Sequence, residues 1–142
     1  WLRDEVPIST RTSVHQTDQT MTLDEFRREM EAYRQAAKQE GEEFKSSYLA
    51  HDRLVVLYRR FNPEERAMAE HVLAEWMLSQ DPDVRFDARA LIDDFRIVTA
   101  LPALEKLAER LASSRAVGAP AELEVVNRII RDLVQVKFGA AG

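Results

Sequence analysis

The sequence of 142 residues has no cysteine, four glycines, five prolines and no long apolar run. Without cysteine there is no disulfide framework, thiol catalysis or iron–sulfur cluster. Four glycines leave little backbone that could approach a phosphate closely. No stretch comes near the roughly 20 apolar residues that span a bilayer, and no signal-peptide pattern opens the chain. These absences predict a soluble, cytoplasmic protein.

The common catalytic motifs are also missing. No glutamate stands three residues before a histidine, as di-iron helical bundles require, and the sequence contains neither His-Glu-x-x-His nor Gly-x-Ser-x-Gly. The neighbouring carboxylates of Asp93 and Asp94 would point about 100° apart on a helix, so they cannot share a substrate. We therefore expect a non-catalytic protein that needs no metal and no cofactor.

Negative charge is concentrated in one segment. The chain carries a net charge of −5, and residues 63–96 alone hold nine acidic against four basic residues. Proteins that bind nucleic acid usually present a basic surface that releases counterions from phosphates, so this distribution argues against such a role. A surface of this sign would instead steer a basic partner toward the protein.

Prolines mark the starts of most predicted helices. Pro63, Pro82, Pro102 and Pro120 each precede apolar residues with a period near 3.6, and proline is favoured at the first helical position. Upstream, Thr22 begins a Thr-x-x-Glu capping box. No segment shows convincing strand alternation. We predict an all-α protein of six helices, at residues 22–40, 42–61, 63–79, 82–96, 102–114 and 120–137.

Single residues are expected to delimit these helices. Asn62 and Asp81 directly precede two of the prolines and are favoured N-caps. Gly41 is expected to end the first helix, so that the second begins near Glu42. In the second helix the segment 54–58 is apolar nearly all round, which predicts that neighbours enclose it or that it covers an interface.

The helices recur in pairs. Pro63 and Pro102 are 39 residues apart, and Pro82 and Pro120 are 38 residues apart. A two-helix unit with a period near 40 is typical of HEAT or armadillo solenoids, in which each hairpin buries its apolar face against the next. The predicted organisation is an N-terminal arm or extension over residues 1–20, followed by one domain over 21–142 with hairpins at about 22–61, 63–96 and 102–137.

Two short motifs carry a family resemblance. The sequence SQDPDVR at residues 79–85 and the sequence ALPAL at residues 100–104 resemble the linkers of short bacterial HEAT repeats, a type also found in phycocyanobilin lyases. The resemblance is best over residues 79–107 and does not extend to the first hairpin. It implies a right-handed α-solenoid that binds partners on the concave surface formed by its inner helices. A fold of this kind does not imply a reaction.

The predicted helix 82–96 carries charge on both flanks of its apolar face. An acidic stripe of Asp83, Asp87 and Asp94 lies on one flank, and a basic stripe of Arg85, Arg89 and Arg96 lies on the other. The acidic stripe is our candidate for contact with a basic partner. The alternative is that these charges form ion pairs between adjacent repeats, which would stabilise the fold only slightly.

Aromatic side chains with polar tips give a second candidate. Tyr48, His51 and Tyr58 share a side of the second predicted helix, and residues of this kind are favoured in binding hot spots. The alternative interpretation is a satisfied group within the core. Trp76 falls on the inward side of its helix and is predicted to be a core residue.

The leading functional hypothesis is an interaction module that binds another protein through its concave or acidic face. An immunity or antitoxin-like protein that masks a basic toxin is one concrete form. The HEAT-like DNA-repair glycosylases need a basic groove, which this charge disfavours. A bilin-lyase-like accessory enzyme, and a subunit of a larger assembly or homo-oligomer, stay open as alternatives.

Overall fold

The computed structural model describes residues 21–46 and 48–139 of the chain. These residues form six α-helices and one short 3-10 turn and contain no strand, so the prediction of an all-α protein with six helices is confirmed. The predicted arm over residues 1–20 lies outside the described residues. In chain order the elements are α1 (Leu23–Glu43), α2 (Leu49–Arg60), α3 (Pro63–Met77), α4 (Pro82–Phe95), the 3-10 turn Val98–Ala100, α5 (Leu101–Ala112) and α6 (Ala119–Phe138).

Side-chain caps begin three of the helices, as predicted. The hydroxyl of Thr22 accepts from the Glu25 amide at 3.1 Å, and the Glu25 carboxylate accepts from the Thr22 amide at 2.9 Å, which completes a capping box. Asn62 forms the same reciprocal arrangement at the start of α3. Asp81 accepts from the Asp83 amide at 2.9 Å, and Pro82 follows at the first position of α4.

The prediction that Gly41 ends the first helix is wrong. Helix α1 continues through Gly41 to Glu43 and ends in a Schellman motif. In this motif the Ser46 amide donates to the Gly41 carbonyl at 2.7 Å, and the Lys45 amide donates to the Glu42 carbonyl at 3.2 Å. Lys45 takes the left-handed conformation usually filled by glycine, with φ of 56°. Glycine is needed four residues earlier, because a Cβ on Gly41 would lie 2.7 Å from the Ser46 carbonyl oxygen.

The described residues divide into two compact units between Ala69 and Glu70, a point inside α3. In the first unit α1 packs against α2, and the rings of Phe26 and Phe61 lie 5.2 Å apart between centroids. Residues Leu54, Leu57 and Tyr58 of the apolar segment 54–58 are buried, whereas Val56 is 48% exposed. The segment is therefore largely enclosed. The prediction of one domain over residues 21–142 stays a prediction.

The second unit contains the end of α3 together with α4, α5 and α6. Helices α5 and α6 pack against each other and against the 3-10 turn. Trp76 is 5% exposed, which confirms its prediction as a core residue. The core of this unit is made of fully buried aliphatic side chains, among them Val72, Leu73, Ala88, Leu91, Ile92, Leu104, Leu107, Val126 and Leu133.

Candidate functional site

The eight residues predicted to contact a partner fall into two sets in different units. Five belong to α4 in the second unit, and three lie on or just before α2 in the first unit. They are Asp83, Arg85, Asp87, Arg89 and Asp94 in the second unit, and Tyr48, His51 and Tyr58 in the first.

Arg85 anchors α4 to α6. Its Nε and one terminal nitrogen donate to the two carboxylate oxygens of Glu122 at 2.8 and 2.9 Å, and its other terminal nitrogen donates to the Ser79 carbonyl at 2.9 Å. Only 13% of the Arg85 side chain and 15% of the Glu122 side chain are exposed. A bidentate pair of this kind fixes both the distance and the orientation of the two side chains.

Arg89 lies against the same carboxylate. Its guanidinium is 3.4 Å from Glu122 and stacks over the ring of Phe86, 5.3 Å from the centroid. Hydrogen bonds from Arg85 lower the pKa of Glu122, and the same bonds raise the pKa of Arg85. Burial, by contrast, lowers the pKa of Arg89. Burial removes water from around its guanidinium, and the attraction to Glu122 over the longer distance does not offset this loss.

A second ionic cluster joins α4 to α6 at least one helical turn closer to the C-terminal ends of both helices. Arg128 donates to Asp93 and to Asp132, each at 3.0 Å, and Arg96 is 3.7 Å from Asp132. Between 29% and 53% of these side chains is exposed, so the pairs stabilise the fold only slightly. We call the two clusters together the ion-pair ladder.

The ladder shows how α4 and α6 are arranged within the second unit. Arg85 contacts Glu122, Asp93 contacts Arg128, and Arg96 contacts Asp132. Residue numbers rise together along both helices, so the two helices run side by side in the same direction. The hydrogen-bonded residues are 33, 35 or 37 positions apart in sequence, close to the repeat of the prolines.

The acidic flank of α4 has a different environment from the basic flank. Asp83 and Asp94 are exposed, whereas Asp87 is only 6% exposed and does not reach the surface. Phe86 lies between the two exposed aspartates along the chain, roughly 60 to 80° from them around the helix, and is 44% exposed, although it is a large apolar side chain. We call Asp83, Phe86 and Asp94 the acidic face.

The three candidates of the first unit do not form one exposed cluster. Tyr48 is 67% exposed at the start of α2, His51 is half-buried, and Tyr58 is 4% exposed beneath the guanidinium of Arg66, which lies 5.0 Å from its ring centroid. Of the three, Tyr48 alone offers a large exposed surface. Tyr58 is an interior residue, which agrees with the alternative interpretation of the aromatic set.

Sequence reasoning missed two residues that define this site, Glu122 and Phe86. The signal for Glu122 was present in the repeat. Glu122 stands two residues after Pro120, just as Val84 stands two residues after Pro82, so a repeat near 38 residues places Glu122 beside Arg85. A signal for Phe86 was also present. At about 100° per residue it lies opposite the apolar face of α4 that contains Ala88, Leu91 and Ile92, which places it outside the core although a large apolar side chain is ordinarily buried.

Within the described residues no group of three or more histidine, aspartate or glutamate side chains is arranged to hold a metal ion. In the same part of the chain, no helix combines the length and the apolar character needed to cross a membrane. Comparison with protein-family models, with curated proteins and with solved structures finds no match.

Proposed function

We propose that this chain is a small helical-repeat module of the HEAT-like kind that binds a basic protein partner through the acidic face of α4. The different environments of the two charged flanks carry the proposal. The arginines of the basic flank lie against Glu122 and Asp132 of α6, which compensate their charge. Asp83 and Asp94 remain exposed on the other flank, so a partner approaching α4 meets negative charge.

The parallel arrangement of α4 and α6 supports the helical-repeat part of this proposal. In a solenoid each helix of one repeat packs beside the corresponding helix of the next repeat, so residues about one period apart come into contact. The ladder joins residues 33, 35 and 37 positions apart, and the two prolines that open these helices are 38 apart. This agreement favours α4 and α6 as inner helices of successive repeats.

Phe86 supplies an exposed apolar side chain beside the two aspartates of the acidic face. Aromatic side chains are enriched in binding hot spots, where water is excluded from the centre of the interface. The guanidinium of Arg89 holds the ring from one side, which reduces the conformational freedom that binding would have to remove. A segment with one apolar side chain between lysines or arginines has the chemistry that complements Asp83, Phe86 and Asp94.

One concrete form of the proposal is an immunity or antitoxin-like protein that masks a basic enzyme, such as a nuclease. The segment 63–96 carries nine acidic against four basic residues, and electrostatic attraction of this kind accelerates association with a basic partner. Co-expression with candidate toxins tests this form, because protection of the host cell should be lost when Asp83 and Asp94 are replaced by lysine.

A photo-crosslinker in place of Phe86 tests the general proposal. Benzoylphenylalanine at position 86 should capture a protein of high isoelectric point in extracts of the source cell. The matched control carries the same crosslinker in place of Glu109, an exposed residue of α5. The captured protein is then purified and its dissociation constant is measured at two salt concentrations.

Charge reversal completes the test. Asp83→Lys combined with Asp94→Lys should weaken binding at least tenfold and reduce its salt dependence, whereas Glu105→Lys combined with Glu109→Lys, with the same change in net charge, should leave binding nearly unchanged. Equal capture from positions 86 and 109, or equal effects of the two double variants, would overturn the assignment of the acidic face.

A further inference from the structure

A second apolar surface runs along α6, away from the face of that helix that packs into the core. Leu123 and Ile130 are half-buried, Val134 is 38% exposed and Phe138 is 60% exposed. These residues recur at steps of seven, four and four along the helix and form one stripe, with Asn127 between the first two. We call these five residues the α6 stripe.

Two opposite charges flank the α6 stripe on the same side. Glu124 and Arg131 each follow a stripe residue by one position and are seven residues apart, two helical turns. Both are exposed, and neither forms an ion pair or a side-chain hydrogen bond with any other described residue. Because about 10 Å of helix separates them, they cannot pair within one copy of the chain.

The two charges become complementary when a second copy is placed on the stripe. In an antiparallel pair of helices related by a two-fold axis, each flank meets the same flank of the partner. Glu124 of one copy then faces Arg131 of the other, and the symmetry repeats this pair on the opposite side of the axis. In the same register Val134 faces Leu123, and Ile130 faces Asn127.

We propose that the α6 stripe is a self-association surface on which a second copy of this chain docks with its own α6 in the antiparallel direction. The proposal does not depend on the acidic face, which belongs to a different helix. A single helix face is smaller than the roughly 1,600 Å² of a standard stable interface. The association should accordingly be weak, with a dissociation constant on the order of 10–100 μM.

Sedimentation equilibrium over a range of protein concentrations tests the proposal directly. The mass should rise from the 16.3 kDa of one chain toward twice that value as the concentration approaches about 200 μM. A constant mass of one chain over that range overturns the proposal, and so does growth beyond two chains, because a two-fold contact closes at the dimer.

A charge swap identifies the surface. Glu124→Lys and Arg131→Glu should each weaken the dimer about tenfold, because each places like charges opposite one another twice in the dimer. The double variant restores opposite charges and should return the dissociation constant to within about threefold of the wild type. Failure of the double variant to recover contradicts the antiparallel register and overturns the proposal.

A substitution in the stripe provides an independent check. Val134→Glu should abolish the dimer, because it places a charge against Leu123 of the other copy, twice within the apolar contact. Val56→Glu is the matched control, since Val56 is similarly exposed on α2 of the other unit, and it should leave the dimer intact. Circular dichroism verifies that both variants fold. A dimer that survives Val134→Glu, or that Val56→Glu also removes, contradicts the proposed surface.

Discussion

Replacing Glu122 by glutamine tests whether the bidentate pair between α4 and α6 stabilises the second unit. Glutamine keeps the size and shape of the side chain but removes its charge and the ability to accept from both donors of Arg85. Arg85 and Arg89 would then share a site in which only 13% and 15% of their side chains are exposed, without a carboxylate to compensate them. Most of the cost therefore comes from the two cations left behind.

The size of the effect follows from the exposure of the pair. Ion pairs at the surface contribute about 0 to 1 kcal/mol, and removal of one partner from a fully buried pair costs about 3 to 5 kcal/mol. The Arg85–Glu122 pair is mostly but not completely buried, and Arg85 keeps its hydrogen bond to the Ser79 carbonyl. We expect Glu122→Gln to lower the free energy of unfolding by about 2 kcal/mol at pH 7.

The pH dependence gives the prediction a second readout. Arg85 lowers the pKa of Glu122 below the usual value of a glutamate. A depressed carboxyl pKa stabilises the folded state above the pKa of the unfolded chain, about 4.3, and this contribution is lost as the pH falls through the folded-state pKa. The difference between wild type and Glu122→Gln should be constant from pH 7 to about 5 and should shrink below about pH 4.

Urea denaturation followed by circular dichroism at pH 7, 5 and 3 measures this difference. The matched control is Glu105→Gln, because Glu105 is exposed on α5 and has no ion pair among the described residues. The control should change the free energy of unfolding by less than about 0.5 kcal/mol at every pH. If Glu122→Gln costs no more than the control at pH 7, the pair does not stabilise the contact between α4 and α6.

The turn after α1 provides two further predictions, both measurable by urea denaturation. Lys45→Gly should stabilise the protein by about 0.5 to 1 kcal/mol, because Lys45 has a left-handed φ of 56° that glycine adopts without strain; a loss of stability would contradict this account. Gly41→Ala should destabilise by about 1 to 2 kcal/mol, although alanine favours helices, because its Cβ would lie 2.7 Å from the Ser46 carbonyl oxygen. Gly118→Ala is its control, since nothing lies within 4 Å of a Cβ there, and this variant should be neutral or slightly stabilising.

Local signals made the helices predictable from the sequence. Proline at the first turn and a side-chain cap before it each act over a few residues, so Asn62 and Asp81 could be placed without any tertiary information. The end of α1 could not be placed in this way. A glycine near a helix end usually marks the residue after the helix, but Gly41 lies inside the helix because the returning chain at Ser46 comes too close for a side chain.

The candidate site was less predictable than the fold because exposure depends on neighbours that are distant in sequence. The periodicity of α4 placed Asp83, Asp87 and Asp94 on one flank, yet Asp87 is buried and the other two are exposed. Tyr58 is likewise interior, beneath Arg66. Helical angles alone do not distinguish a residue at the edge of the core from one in solvent. The angles of two such residues around the helix can differ by less than the roughly 100° that separates successive residues.

The repeat connects these observations, because it determines which charges of α4 lie against α6 and which are exposed to solvent. Helix α4 and its C-cap Arg96 carry four aspartates and three arginines, so only a small excess of negative charge would show if both flanks were exposed. Stacking α6 beside the basic flank brings Glu122 and Asp132 against the arginines, so the basic charge is balanced there and the exposed charge on the opposite flank is negative. The sign of the proposed binding surface is thus a consequence of how successive helices pack, and the Glu122→Gln variant tests the contact on which that sign depends.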